Sequence, residues 1–292
     1  MKNEGTNYSL AKETKNILQK HNIHLNRKLG QNYLIDDFKR KKIIEFAQLN
    51  KKDIVLEIGP GIGTLTTELA KKSKKVVAIE QDPNIFNILE KRLKNENINN
   101  VQLINDDAVK TDFPKFNKIV SNLPYQISSP ITFKFLNYSF DLAILMYQKE
   151  FGKRMIAKFG SKEYSRLSAM LYFKGDVEIL DHVSPESFIP KPKVDSVVLK
   201  LTPKNIINSK INDNQFKNYE IVCKALFQHK NKKSKNALID SRHILGYEDK
   251  KEMKNILNNI KAEDLLIKRA VNMSPEEILL LSDKLEDIIL KK

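Results

Sequence analysis

"DIVLEIGPGIGTLTTELAKK", Asp53 to Lys72, decides the fold. Its first part is a short apolar, β-branched run that ends in a cluster of glycines, and "TLTTELAKK" has helical spacing, so the stretch reads as strand, tight turn and helix. The alternation then continues. "KVVAIE" (Lys75 to Glu80) reads as a strand, "PNIFNILEKRLKN" as a helix opened by Pro83, "VQLIND" as a third strand and "KIVSNL" as a fourth. Strands alternating with helices imply a parallel sheet covered on both faces. "DLAILMYQ" adds a fifth strand and "EFGKRMIAKFG" (Glu150 to Gly160) a helix, while "DVEIL" and "SVVLKLTP" are late strands suited to an antiparallel hairpin. Around Pro203 the composition changes: "PKNIINSKINDNQ" is polar and linker-like, and from Phe216 onwards only helical periodicity remains. The expected organisation is an α/β sheet domain over residues 1–203 and a small helical domain over residues 204–292.

The chain of 292 residues is 41% apolar and carries a formal net charge of +15. An excess of one sign on this scale suits a polyanion partner, because each neutralised phosphate releases a counterion. A lysine-rich proteome is the plainer source of the same charge. No apolar run reaches the roughly 18 residues of a membrane span, and the first twenty residues lack the apolar core of a signal peptide, so a cytoplasmic protein is expected. Cys223 stands alone in a helical pattern, which leaves no disulfide framework. His21, His24, His182, His229 and His243 show no ligand spacing with carboxylates, so no metal site is expected.

Three strand tips suit an adenosine. Gly59, Gly61 and Gly63 close the first strand, where ligands of open parallel sheets bind and where glycine lets the backbone approach them. Their spacing is G-x-G-x-G, not the dinucleotide pattern, and a simple tight turn would also use glycine. Glu80, at the tip of the second strand, is placed to accept both hydroxyls of a ribose. Asp107, in "NDDA" after the third, is placed to accept from an exocyclic amine of adenine.

The fourth strand runs into "SNLPYQISSPI" (Ser121 to Ile131). Asn122 and the carbonyl of Leu123 offer two acceptors side by side. Pro124 holds Leu123 extended and has no N–H to compete, and Tyr125 adds a flat face. The set suits a planar ring with an exocyclic NH₂. Such an amine is a poor nucleophile, so its partner must be a strong electrophile, as the sulfonium methyl of S-adenosylmethionine is. A proline turn capped by Ser128 or Ser129 is the structural alternative.

With these stretches together, the chain resembles the ribosomal RNA adenine N6-dimethyltransferases, in the archaeal or eukaryotic form of the small-subunit branch. "LGQNYLID" (Leu29 to Asp36) resembles the family's N-terminal cofactor motif, "EIGPGIGTLT" its first methyltransferase motif and "SNLPYQISSPI" its catalytic motif. "SFIPKPKVDS" (Ser187 to Ser196) is similar to its late active-site loop and "FQHKNKKSKNAL" to the start of its helical domain. The resemblance implies a Rossmann-like class I methyltransferase sheet of seven strands with a small all-α C-terminal domain. It implies S-adenosylmethionine contacts at Asn32, Leu34, Gly59, Glu80, Asp107 and Asn122, and catalysis at Asn122, Leu123, Pro124 and Tyr125, with Phe188 opposite Tyr125 across the target base. Tyr33 departs from the family, which commonly has phenylalanine there.

The cations fall in two stretches. Lys153, Arg154, Lys158 and Arg166 lie in a region that borders the RNA groove in the family. Lys230, Lys232, Lys233 and Lys235 lie in "KALFQHKNKKSK", which contains no acid. Either set also suits a solvated helix face. The resemblance implies a monomer acting on small-subunit ribosomal RNA or a pre-small-subunit particle, dimethylating two adjacent adenosines near the RNA 3′ end. Two other functions share these features: a large-subunit ribosomal RNA adenine N6-methyltransferase, and a non-catalytic RNA-binding ribosome assembly factor.

Overall fold

Residues 9–21, 23, 32–204 and 211–289 are described by the computed structural model. His24, Leu29 to Gln31 of the N-terminal motif and linker residues 205–210 lie outside the described residues.

The chain divides into two compact units. The first holds residues up to Gly152 together with Val177–Pro203. Its elements begin with α1 (Leu10–Lys20), β1 (Tyr33–Leu34) and α2 (Asp37–Phe46), followed by β2 (Ile54–Ile58), α3 (Thr66–Lys72), β3 (Lys75–Glu80), α4 (Pro83–Asn95) and β4 (Val101–Asn105). After these come β5 (Lys118–Asn122), α5 (Ser128–Phe135), β6 (Leu142–Gln148) and α6 (Lys149–Met155), then α7 (Arg166–Lys174), which belongs to the second unit, and β7 (Gly175–Val183), β8 (Phe188–Ile189) and β9 (Ser196–Pro203). The sheet has seven strands in the order β4-β3-β2-β5-β6-β9-β7. β2, β3, β4, β5 and β6 pair in parallel, and β9 returns antiparallel to β6, with Met146 opposite Val198. The parallel part is the sheet expected from the strand–helix alternation, and the seven strands match the number that the resemblance implies. The order reverses between β2 and β5, so the tips of these neighbours border the crevice in which open sheets bind ligands.

Why these residues make these elements is visible at the helix starts. Pro83 opens α4 in the first turn, where its missing N–H leaves no broken bond, and Asp82 caps it by accepting from Asn84 N at 2.9 Å. α6 ends at Met155, short of the helix expected to Gly160, and the chain turns instead. α5 starts at Ser128 without a serine cap, since the N-cap position is Ile127 and makes no side-chain bond. The core of this unit packs Leu34, Val55, Val76, Val120, Ile144 and Val198 between sheet and helices.

The second unit comprises Lys153–Asp176 and Lys204 onward. Its later helices are α8 (Asp213–Phe227), α9 (Ser234–Asp240), α10 (Lys250–Asn258), α11 (Glu263–Leu266) and α12 (Pro275–Lys284). The expected boundary at residue 203 therefore does not separate the two units by itself. Residues 153–176 join the helical unit because α7 is apolar on most of its surface and buries it there, with Tyr219 Oη donating to the Ala169 carbonyl at 2.9 Å. Cys223 is fully buried, and burial pushes its thiol up to about 12, which makes it a packing group and not a nucleophile. No helix among the described residues is long and apolar enough to cross a membrane.

Candidate active site

The turn after β2 carries three glycines at positive φ: Gly59 (67°), Gly61 (57°) and Gly63 (90°). A Cβ would meet Pro124 at 3.0 Å from Gly59, Tyr33 Cε1 at 2.8 Å from Gly61 and Leu89 Cδ1 at 2.5 Å from Gly63. The turn is thus fixed both by backbone conformation and by side chains pressed against it. It forms one wall of a cleft whose lining includes Asn32, Leu34, Gly59, Glu80, Asp107 and Asn122. The same lining includes Leu123, Pro124 and Tyr125. Four strand tips and the segment before the sheet therefore converge on one cavity.

Glu80 is held from both ends. Oε2 accepts from Gly61 N at 3.1 Å and Oε1 from Asp82 N at 3.0 Å. Burial raises its pKa and these backbone bonds oppose the rise, so the carboxylate is fixed in direction while each oxygen keeps a further lone pair. Asp107 Oδ1 accepts from Val109 N at 2.9 Å, which fixes that carboxylate too.

The Asn122 side chain is oriented by the segment before the sheet. Nδ2 donates to the Asn32 carbonyl at 3.0 Å, which turns Oδ1 into the acceptor end. Leu123 N donates to Met146 O at 3.3 Å. That bond ties the residue to β6 through its donor. Pro124 has φ −59° and ψ 127°, and its own carbonyl accepts from Ile127 N. Tyr125 is half-buried with its hydroxyl 2.8 Å from Ser196 Oγ, so the ring is anchored at its far end by β9, and burial raises its pKa.

Phe188 is placed differently from the expectation. It is 2% exposed, packs in the sheet core with Leu34, Val183 and Val198, and is absent from the cleft lining. The cause is a two-stranded ladder, in which β8 pairs antiparallel with β1, Leu34 opposite Phe188 and Tyr33 opposite Ile189. In this structure Phe188 clamps the segment that supplies Asn32 and Leu34.

The cations are also unequal. Lys230 Nζ donates to the carbonyls of Lys162 (2.9 Å) and Tyr164 (3.0 Å), Lys232 pairs with Asp240 at 2.8 Å, and Lys235 bonds Asn258. Arg166 pairs with Glu220 at 3.3 Å. Lys153 and Lys233 are exposed, and Arg154 is half-buried.

The model of the family described as ribosomal RNA adenine dimethylase matches residues 22–276. The chain belongs to this family. It is 52% identical over 265 residues to a protein of Methanosphaera stadtmanae named probable ribosomal RNA small subunit methyltransferase A, covering 91% of this chain and 95% of the relative. A protein of the same name from Methanothermobacter thermautotrophicus is 47% identical, covering 96% and 97%. Among solved structures, a dimethyladenosine transferase from Plasmodium falciparum is similar at 33% identity and a TM-score of 0.71, over 87% of this chain and 98% of that one. The 23S rRNA methyltransferase ErmE is similar at 25% identity and a TM-score of 0.61, over 87% and 99%.

Residues of this adenine dimethylase that sequence reasoning did not nominate also line the cleft. Glu57 is 2% exposed with Oε2 unpartnered, and burial, with the charge of Glu80 adding to it, raises its pKa to about 8. Thr64 Oγ1 and Tyr33 Oη are likewise buried without a hydrogen-bond partner. The signal for Glu57 was a carboxylate inside an apolar strand run, "DIVLEIG", where a charge is costly unless a partner arrives.

Proposed function

We propose that this member of the family is an S-adenosylmethionine-dependent enzyme that dimethylates N6 of two adjacent adenosines near the 3′ end of small-subunit ribosomal RNA. The observation that carries the chemistry is the Asn122–Asn32 hydrogen bond, which leaves Oδ1 as an acceptor one residue before the Leu123 carbonyl in the chain. The residues present suit the cofactor. Glu80 keeps lone pairs for ribose hydroxyls, the glycine turn admits close approach, and three orphaned polar atoms of Glu57, Thr64 and Tyr33 await polar partners. When bound, S-adenosylmethionine supplies the electrophilic methyl group.

The chain's own work is on the amine. Two acceptors, Asn122 Oδ1 and Leu123 O, hold the two N–H bonds of the amine and favour the pyramidal nitrogen on which a new N–C bond can form. Tyr125, pinned by Ser196, offers the stacking face for the ring. The methylated nitrogen is strongly acidic and loses its proton to solvent. Asp82 is engaged as a helix cap and Asp106 accepts from Asp107 N, so neither is assigned as a base.

The small-subunit assignment rests on the higher identity to relatives of that name than to ErmE. A large-subunit substrate is the second reading, favoured only by that structural likeness. Action as a monomer in the cytoplasm on a pre-small-subunit particle completes the proposal. The test is to incubate the protein with labelled S-adenosylmethionine and separated ribosomal subunits and to map the modified base. Label in two adjacent small-subunit adenosines is expected, label in large-subunit RNA supports the second reading, and no label supports an assembly factor without catalysis.

A further inference from the structure

The turn that follows α6 belongs to the helical unit and has no part in the cleft. Lys158 O accepts from both Ser161 N (3.2 Å) and Ser161 Oγ (2.7 Å), and Gly160 sits at φ +81° with nothing within 4 Å of the Cβ it lacks. A turn closed in this way pushes its second residue outward. That residue is Phe159, 53% exposed.

The turn is not loose. Gly160 N donates to Val271 O at 2.7 Å, Val271 N to Lys230 O at 3.1 Å, and Ser234 N to Lys268 O at 2.7 Å. Lys233 and Arg269 form a β-bridge, and Lys230 Nζ holds the carbonyls of Lys162 and Tyr164. Three stretches far apart in sequence are thereby stitched into one fixed face. On these stretches the exposed apolar groups are Phe159, Ile156 and Ile267, and the exposed cations include Lys158, Lys162, Lys233 and Arg269. No acid occurs between Ile156 and Lys162 or between Ile267 and Arg269.

A single exposed phenylalanine needs no explanation. One held on a rigid turn and bordered by more cations than carboxylates, with Glu277 paired to Lys268 and Glu163 half-buried, has the composition of a single-strand nucleic acid platform, where bases stack on aromatic faces and cations track the phosphates. We propose that this face binds an unpaired stretch of the RNA substrate outside the methylated site, with Phe159 stacking on a base and Lys158, Lys162, Lys233 and Arg269 taking the flanking phosphates. The inference rests on the reading that the substrate is ribosomal RNA, and it adds a contact that secures that RNA through an unpaired base other than the methylated one.

The test uses the full chain and a transcript of the 3′-terminal region of small-subunit ribosomal RNA containing unpaired nucleotides, with a duplex of equal length as control. Phe159→Ala and Phe159→Leu should each weaken transcript binding on the order of 10-fold at fixed salt, and Phe159→Tyr should restore it. The dependence of affinity on salt should stay unchanged, since no cation is removed. Duplex binding should not respond to any of the three. Wild-type affinity in Phe159→Ala overturns the inference alone, as does wild-type affinity in Phe159→Leu, which marks an ordinary apolar contact of the kind a protein partner makes. Failure of the wild-type chain to bind the transcript overturns both this inference and the proposed substrate. Thermal melting checks that each variant is folded, as expected for an exposed side chain.

Discussion

Asn122 donates its side-chain amide to the backbone carbonyl of Asn32, 90 residues earlier, and so the segment before the sheet sets which end of that amide faces the reaction. Asn122→Ala should reduce methyl transfer on the order of 100-fold, by analogy with the loss of one preorganised group in an oxyanion hole, with RNA affinity little changed. Single-turnover rates at saturating cofactor are the measurement. A rate equal to wild type would remove the acceptor pair from the mechanism.

Glu57 makes stability depend on pH in a defined direction. Its carboxyl titrates at about 8 in the folded chain against an ordinary value of 4.5, so between these values the folded state holds a proton that the unfolded state releases. Stability from this group is therefore full below about pH 4.5 and is lost as pH rises through 8. Melting temperatures of the ligand-free protein, recorded from pH 5 to pH 9, should fall more steeply for wild type than for Glu57→Gln. Parallel curves would contradict the assignment.

Phe188→Ala should behave as a core deletion. The expected loss is about 3–5 kcal/mol of folding stability by denaturant titration, with Phe188→Leu losing much less. Unchanged stability together with reduced methyl transfer would instead return Phe188 to the base-stacking role implied by the resemblance.

Lysines of the same cluster should separate into two kinds. Lys230→Ala removes the ammonium that holds two carbonyls and should lower the melting temperature. Lys233→Ala should leave the melting temperature alone and reduce the salt slope of RNA binding by about one. Identical behaviour of the two variants in both measurements would contradict this division.

Local periodicity carried most of the fold. Strands β2, β3 and β5 are apolar runs that end in residues with special backbone or hydrogen-bonding demands, and those ends are the cleft. Pairing between distant short segments left no such trace. The ladder of Tyr33–Leu34 with Phe188–Ile189 is two residues long, so nothing in the spacing distinguished a phenylalanine buried by it from one facing a ligand. Lys230 shows the same limit: its charge was legible, but the carbonyls of Lys162 and Tyr164 that it binds lie far away in sequence. Residues 153–176 read as a continuation of the sheet domain because the long-range contact that claims α7, with Tyr219, lies 50 residues ahead.

That last separation has a consequence for synthesis on the ribosome. At roughly 5–20 residues per second, α7 emerges some 3–10 s before Tyr219. During this interval its apolar side chains have no helical unit to enter, although five of the seven sheet strands precede α7 in sequence. A nascent chain arrested at residue 203 is expected to be cut by protease within 153–176, and one extended through α12 to resist. Cleavage that does not change with extension would show that α7 finds cover without the later helices.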